Sequence, residues 1–307
     1  MRMRIMIDAC SYALGEVERP YHDVPDFKNM LDRFGYPDEP SVFGWGSYFK
    51  TDGDIFDLGI RSARQTLAQS RVSSDDVDFV MFCSTCFPGN EIEYINYNVR
   101  LYERLELKKA FPIGITLNNC ISFMSAIVMA ESMVRSGIYN NILIITADKV
   151  YDESIRFNNF ALLSDSAASC LVTRCDGPGL EIVSARFGVS QDPITSNHGK
   201  DEPELYGRIL TDVLEASAVT LADISKVFCN NIFRPVTQLK ETRLGFSRRQ
   251  LYLDNVARCG HCFSADTLLN YVDYARQNTP AEDQKFLFSI DAPNLRANLL
   301  AQYKHQP

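Results

Sequence analysis

Short apolar runs separated by amphipathic segments set the rhythm of this chain. Residues 4–12, 77–84, 113–117, 141–147 and 167–174 read as strands. Runs such as Ile142-Leu-Ile-Ile145 show no polar alternation, which suits strands covered by helices on both faces. Residues 55–70 and 91–105 read as helices, the first with Leu58, Ile60 and Leu67 at apolar positions. A third helix follows residue 120 and stops at Ser136-Gly137. The second half repeats the order, with strands at 180–189, 227–232, 251–253, 286–290 and 295–302 and helices at 202–217, 236–246 and 261–275. Each half therefore reads β-α-β-α-β-α-β-β, an α/β protein built as two pseudo-repeated halves. Gly177-Pro-Gly179 is the natural seam, so the expected halves are 1–176 and 177–307. Residues 14–54 are polar, aromatic and Pro-bearing, and read as an insertion of the kind that serves binding rather than packing.

The third helix of the first half carries the most informative residue. The chain runs Phe111-Pro-Ile-Gly-Ile-Thr-Leu-Asn-Asn-Cys120 and continues directly into the helical pattern. Asn118 and Asn119 read as capping residues, which puts the Cys120 thiol in the positive field of a helix N-terminus. That field favours thiolate and is expected to lower the thiol's pKa. Position alone leaves open a small Cys that only fills core volume.

Composition narrows the class. The 307 residues are 46% hydrophobic and 23% charged, as in an ordinary well-packed enzyme. A net charge of −8 argues against a general nucleic-acid binder. No run reaches the roughly 18 apolar residues of a membrane span, and the opening Met-Arg-Met-Arg-Ile-Met-Ile-Asp reads as a strand rather than a secretory signal. A cytoplasmic protein without a membrane partner is expected. Nine Cys then imply mostly free thiols. Cys83-Ser-Thr-Cys86 and Cys259-Gly-His-Cys262 are too far apart in sequence for a compact zinc knuckle, and the second lacks a thioredoxin-like surround, so no metal is expected. Arg234, Lys240, Arg243, Arg248, Arg249 and Arg258 form a local basic cluster that could attract a phosphorylated or acidic partner, with a solvated helix face as the plainer alternative.

The order of elements resembles the thiolase fold, a layered α-β-α-β-α sandwich. The strand-Asn-Cys-helix at 115–137 is similar to the nucleophile segment of 3-oxoacyl-acyl-carrier-protein synthase III. Supporting segments are Ser136-Gly-Ile-Tyr-Asn-Asn-Ile-Leu-Ile-Ile-Thr-Ala-Asp148 and Leu163-Ser-Asp-Ser-Ala-Ala-Ser-Cys-Leu-Val172, the latter like the family's Phe-Gly-Asp-Gly-Ala-Gly-Ala segment with its glycines replaced. The condensing enzymes pair their Cys with a His and an Asn. Their His would fall at Asn230-Asn231, and their Asn on His261 after Gly260. Gly260-His261-Cys-Phe-Ser-Ala-Asp266 is similar to acyltransferase relatives of antibiotic and other secondary-metabolite pathways that use a Cys-His-Asp triad. The family's glycine-rich C-terminal loop is replaced by Asp291-Ala-Pro-Asn294.

The resemblance implies Cys120 as nucleophile, His261 as the proton-handling base and Asp266 as the group that fixes its tautomer. A five-residue step on an unbroken helix would separate His261 from Asp266, so an irregular first turn is expected. Asn230, Asn231, His198 and Asn294 are the expected substrate contacts, the Cys120 N–H and an N–H near Asn294 the expected oxyanion donors, and the basic residues 234–249 the expected docking site for the coenzyme A arm or an acidic carrier protein. The implied activity moves an acyl group from a coenzyme A or acyl-carrier-protein thioester, which is substrate rather than cofactor, to a small hydroxyl or amine acceptor. A carbon–carbon condensing synthase and a non-catalytic partner subunit are the alternatives. A homodimer is implied by the same resemblance.

Overall fold

The computed structural model describes residues 4–190 and 202–305. The first half runs through β1 (Arg4–Leu14), β2 (Val17–Pro20), α1 (Phe27–Phe34), α2 (Pro40–Phe43), β3 (Ser47–Lys50), α3 (Ile55–Gln69), β4 (Phe79–Cys83), α4 (Glu91–Leu105), β5 (Phe111–Ile115), α5 (Ser122–Ser136), β6 (Asn141–Asp148) and β7 (Ser166–Cys175). The second runs through β8 (Gly179–Val189), α6 (Pro203–Ser217), β9 (Ile224–Phe228), α7 (Arg234–Arg243), β10 (Leu251–Tyr252), α8 (Asp254–Cys259), α9 (Asp266–Gln277), β11 (Lys285–Ala292) and β12 (Leu295–Lys304).

The large sheet has the order β10-β9-β11-β12-β8-β1-β7-β6-β4-β5. Counted outward from the centre, each half contributes the same succession. In the first half β4 pairs parallel with β5 and β6, and in the second β9 pairs parallel with β10 and β11. The halves join where Met6 and Ile7 of β1 pair with Glu181 and Leu180 of β8. The repeated element order read from the sequence is thus a spatial repeat as well.

Strand periodicity places the core. Phe79, Met81 and Cys83 of β4 face one way, with Phe286, Phe288 and Ile290 of β11, onto a shared core with α5 and α9. Val80 and Phe82 face the opposite way, toward α3 and α4, and Val227 and Leu287 face toward α6. The result is five layers, with α5 and α9 in the middle. Because α9 is covered on all sides, Asp266 through Tyr274 are all buried, polar residues included. Among the described residues, no helix is long and apolar enough to cross a membrane.

The 14–54 region is more structured than an open binding loop. Its β2 and β3 form a ribbon, and Phe27, Trp45 and Tyr48 pack with Phe157, Leu162 and Phe233. Phe43 stacks on Trp45 at 4.6 Å between ring centroids. The expectation of a binding role rather than packing is corrected here, because its aromatic content is spent on a core that supports 157–162. A second correction concerns the predicted helix at 261–275. The helix proper begins at Asp266, preceded by α8 and a 3-10 turn, Phe263–Ala265, in which Phe263 has φ 53°.

Candidate active site

The turn that carries Cys120 follows β5. The Asn119 N–H donates to the Thr116 carbonyl (3.1 Å), and Asn119–Ile121 forms a 3-10 turn that carries Cys120. Asn119 has φ 48°, a left-handed conformation that Asn tolerates better than most residues. Contrary to the sequence expectation, neither asparagine caps α5: Asn118 stands at the N-cap of the 3-10 turn but makes no side-chain capping hydrogen bond. Ile121 occupies the N-cap of α5 without a side-chain hydrogen bond, while Asn118 Nδ2 donates to Ser125 Oγ (2.9 Å). The turn is fastened to the other half through Ser264, whose hydroxyl donates to the Asn119 carbonyl (3.1 Å) and lies 3.0 Å from Ser122 Oγ.

His261 is held by its backbone before its side chain is considered. Its N–H donates to the Leu162 carbonyl (2.7 Å), and its carbonyl accepts from the Ser164 N–H (2.9 Å). Ser164 Oγ donates to the Cys259 carbonyl, and Ser166 Oγ to that of Cys262 (3.1 Å). The serines that replace the family's glycines therefore clamp the Cys259–Cys262 stretch from both ends. Gly260 is required at the entry to it. With φ 62°, any Cβ there would stand 2.3 Å from the Leu162 carbonyl oxygen.

Side-chain geometry brings three predicted residues together. His261 Nε2 lies 3.6 Å from Cys120 Sγ, and His261 Nδ1 hydrogen-bonds Asp266 Oδ2. The irregular Phe263–Ala265 turn closes the five-residue step between His261 and Asp266. Asp266 also accepts from the Asn231 N–H (2.7 Å), Asn231 Nδ2 (3.0 Å) and the Cys262 N–H (2.7 Å). Four hydrogen-bond donors around this fully buried carboxyl fix its position.

The electrostatics depart from the simple helix-terminus expectation. Burial pushes the Cys120 thiol above its ordinary pKa, with further pressure from Asp148 and Asp266, although His261 pulls it back down. The expected depression of the free thiol is therefore corrected: desolvation outweighs the favourable field. For His261, burial alone would favour the neutral ring. The Asp266 charge and hydrogen bond, with Cys120, overcome it and hold the imidazole well above its usual value. Acid–base work here belongs to the pair rather than to either group alone.

The other candidate residues fall into several places. Asn230 is engaged by the backbone of Asp291, donating to its carbonyl (3.2 Å) and accepting from its N–H (3.0 Å), so its amide braces the β11–β12 hairpin. Asn231 is turned to Asp266. Asn294, at φ 61°, sits in the tight turn of that hairpin and its carbonyl accepts from the Ser190 N–H (2.9 Å). The hairpin's β11 packs against the Cys120 turn. His198 lies outside the described residues. Lys240 is buried and ion-paired with Asp291, which Lys240 and Arg296 hold below the usual carboxylate range despite burial. It is a structural cation, and its place in the basic docking cluster is corrected. Arg243, Arg248 and Arg249 are exposed, and Arg234 is partly covered.

Two features escaped the sequence reading. Asp148, at the end of β6, is buried. Its Oδ1 accepts from Thr85 N (2.7 Å), Thr85 Oγ1 (2.7 Å) and Ser84 Oγ (3.1 Å), and burial nevertheless raises its pKa. The signal was an acid closing an apolar strand. Beside the Cys120 turn an open cleft of about 390 Å³ is lined by Asn118, Ile121, Val128, Phe187 and Leu295. Among the described residues no group of three or more His, Cys, Asp or Glu stands where it could hold a metal ion.

A mirrored ten-stranded sheet around two buried helices, each half delivering one partner of a thiol–imidazole pair, defines a thiolase-fold α/β protein. Residues 116–190 match the family described as 3-oxoacyl-[acyl-carrier-protein (ACP)] synthase III. Beta-ketoacyl-[acyl-carrier-protein] synthase III 2 of Vibrio vulnificus strain YJ016 is 25% identical over 187 residues, 54% of this chain and 51% of that protein. The synthase III of Fusobacterium nucleatum is 23% identical over 242 residues, 68% of this chain and 71% of its own length. The match spans about half the length of the Vibrio relative. Among solved structures, the acyltransferase ChlB3 superposes with TM-score 0.80 at 14% identity, covering 99% of this chain and 98% of that one. The 3-oxoacyl-[acyl-carrier-protein] synthase III of Aquifex aeolicus gives TM-score 0.78 at 16% identity, over 98% and 100%. The chain is thus similar to 3-oxoacyl-[acyl-carrier-protein] synthase III proteins over part of its length and shares their fold.

Proposed function

We propose that this protein is an acyltransferase that carries an acyl group on Cys120 between a coenzyme A or carrier-protein thioester and a hydroxyl or amine acceptor, in secondary metabolism. The observation that carries the reading is the placement of His261 Nε2 3.6 Å from the thiol with Nδ1 on Asp266. His261 takes the Cys120 proton as sulfur attacks the thioester carbonyl, and returns it to the departing thiol when the tetrahedral intermediate collapses. In the second half-reaction Nε2 takes the proton of the acceptor O–H or N–H as that atom attacks the acyl-Cys120 carbonyl. Collapse releases the ester or amide, and the proton passes to the Cys120 sulfur. The Cys120 N–H is the first oxyanion donor in this scheme, and the β11–β12 turn around Asn294 offers the second.

The cleft beside the nucleophile turn suits the acyl or pantetheine portion, and the exposed Arg243, Arg248 and Arg249 suit an acidic carrier. The exposed Ile92, Ile95 and Val99 of α4, with the open edge of β5, support a homodimer.

The runner-up is carbon–carbon condensation, the reaction named for several relatives. The acyltransferase reading is favoured because both Asn230 and Asn231, where the condensing His would fall, are committed to Asp291 and Asp266. Isolated acyl-Cys120 protein mixed with hydroxyl and amine acceptors is expected to discharge without release of carbon dioxide from a malonyl thioester. Discharge only with malonyl thioester and carbon dioxide release would establish condensation instead.

A further inference from the structure

Behind Asp266 a row of buried amides continues toward the surface. Asn231 Oδ1 accepts from Asn270 Nδ2 (2.9 Å), and the same Nδ2 donates to the Cys229 carbonyl (2.9 Å). Asn270 Oδ1 accepts from Asn255 Nδ2 (2.9 Å), and Asn255 Oδ1 from Arg258 Nε (2.6 Å). Arg258 is partly exposed and paired with Asp273. Asn231, Asn255 and Asn270 are at most 2% exposed, so water is in no position to replace a missing partner.

The row has a fixed sense. A guanidinium can only donate and an ionised carboxylate can only accept. Every amide between Arg258 and Asp266 must therefore point its oxygen toward Arg258 and its nitrogen toward Asp266. Turning any one of them would face oxygen to oxygen and nitrogen to nitrogen at buried contacts, a costly arrangement. Three elements contribute: α8 through Asn255 and Arg258, α9 through Asp266 and Asn270 one turn apart, and the loop after β9 through Asn231. The end point is the imidazole. With Asp266 accepting at Oδ2, His261 carries its proton on Nδ1 and presents Nε2 to the thiol.

We propose that Asn270 and Asn255 are positioning residues of this site: with Arg258 they form a one-way chain of hydrogen bonds that sets which end of the Asn231 amide meets Asp266 and, through Asp266, which nitrogen of His261 faces Cys120. The inference rests on the Cys120–His261–Asp266 reading above and adds the groups that enforce it. The charged and titratable groups facing this line are Cys120, Asp148, Asp266 and Asp291 around His261, Cys259 and Cys262 alongside, and Arg258, Asp273, Tyr12 and Arg276 at the far end.

The test is the rate of Cys120 labelling by iodoacetamide as a function of pH, read on the Cys120 peptide by mass, with circular dichroism to check folding. Asn270→Asp keeps the shape but removes the donor that fixes Asn231. Labelling at neutral pH is expected to fall by about tenfold to a hundredfold, the scale of a hydrogen bond to a charged group. The ratio of variant to wild type should recover as pH falls, because the protonated carboxyl regains an O–H donor. If Asn270→Asp fails to fold, Arg258→Met removes the donor at the accessible end, with an expected loss of about threefold to tenfold that Arg258→Lys restores. Asp266→Asn separates the two levels. If it disrupts the profile while the folded Asn270→Asp, or Arg258→Met in its place, keeps the wild-type profile, the positioning inference is overturned. If Asp266→Asn itself keeps the wild-type profile, the triad reading falls and takes the inference with it.

Discussion

Asp266 governs the site at the scale of single residues, because its charge opposes what burial does to the imidazole. Burial would hold His261 neutral, and Asp266 with Cys120 overcomes that and raises its pKa well above 6.5. The Cys120 thiol is also raised, so the pair loses its first proton at a pH above the usual imidazole range. Acylation, which needs the singly deprotonated pair, should therefore rise with pH along a limb above about 6.5. In Asp266→Asn the carboxylate charge is gone, and the limb should move to lower pH. Its plateau should fall by about a thousandfold to ten-thousandfold, as when a triad imidazole is misdirected. A pH–rate series on both proteins checks the two effects together. Cys120 leaves a local mark in the sequence, a thiol between a strand and a helix, whereas His261 and Asp266 are reached through the family resemblance of the Gly260 to Asp266 segment. The sequence could not assign Asn231 or Lys240, whose partners lie 35 and 51 positions away in sequence and meet them only in the fold.

Elements hold these residues in place through irregular turns rather than regular helix. Cys120 sits on a 3-10 turn entered through left-handed Asn119, and Asp266 follows a turn through left-handed Phe263. Hydrophobic periodicity locates the strands and helices to within a few residues but carries no signal for a positive φ at Phe263. The sequence therefore asks for an irregular first turn in the helix at 261–275 without placing the start of regular helix at Asp266. Gly260 is the element-scale control. Gly260→Ala must relieve a 2.3 Å approach to the Leu162 oxygen and adopt φ 62°, which costs about 1–3 kcal/mol and shifts His261 away from the thiol. Urea unfolding should show the lower midpoint, and acylation should fall further than stability explains. A Gly260→Ala protein with wild-type acylation would contradict the clamp described here.

At the scale of the molecule, two stretches with the same strand succession each supply part of the proposed site. The first brings the thiol, the second the imidazole and carboxylate, and α5 and α9 meet in the middle layer to align them. Duplication was legible because both halves repeat the same succession of apolar runs. The mirrored sheet order and the packing of 14–54 against 157–162 were not, since each depends on contacts between distant segments. The most direct test of the account is the mass of the intact protein after mixing with a panel of acyl-coenzyme A and acyl-carrier-protein thioesters. One acyl group on Cys120 is expected, absent in Cys120→Ala and formed far more slowly in His261→Gln. An adduct that persists in Cys120→Ala, or a wild-type protein that acquires none from either class of thioester, would contradict it.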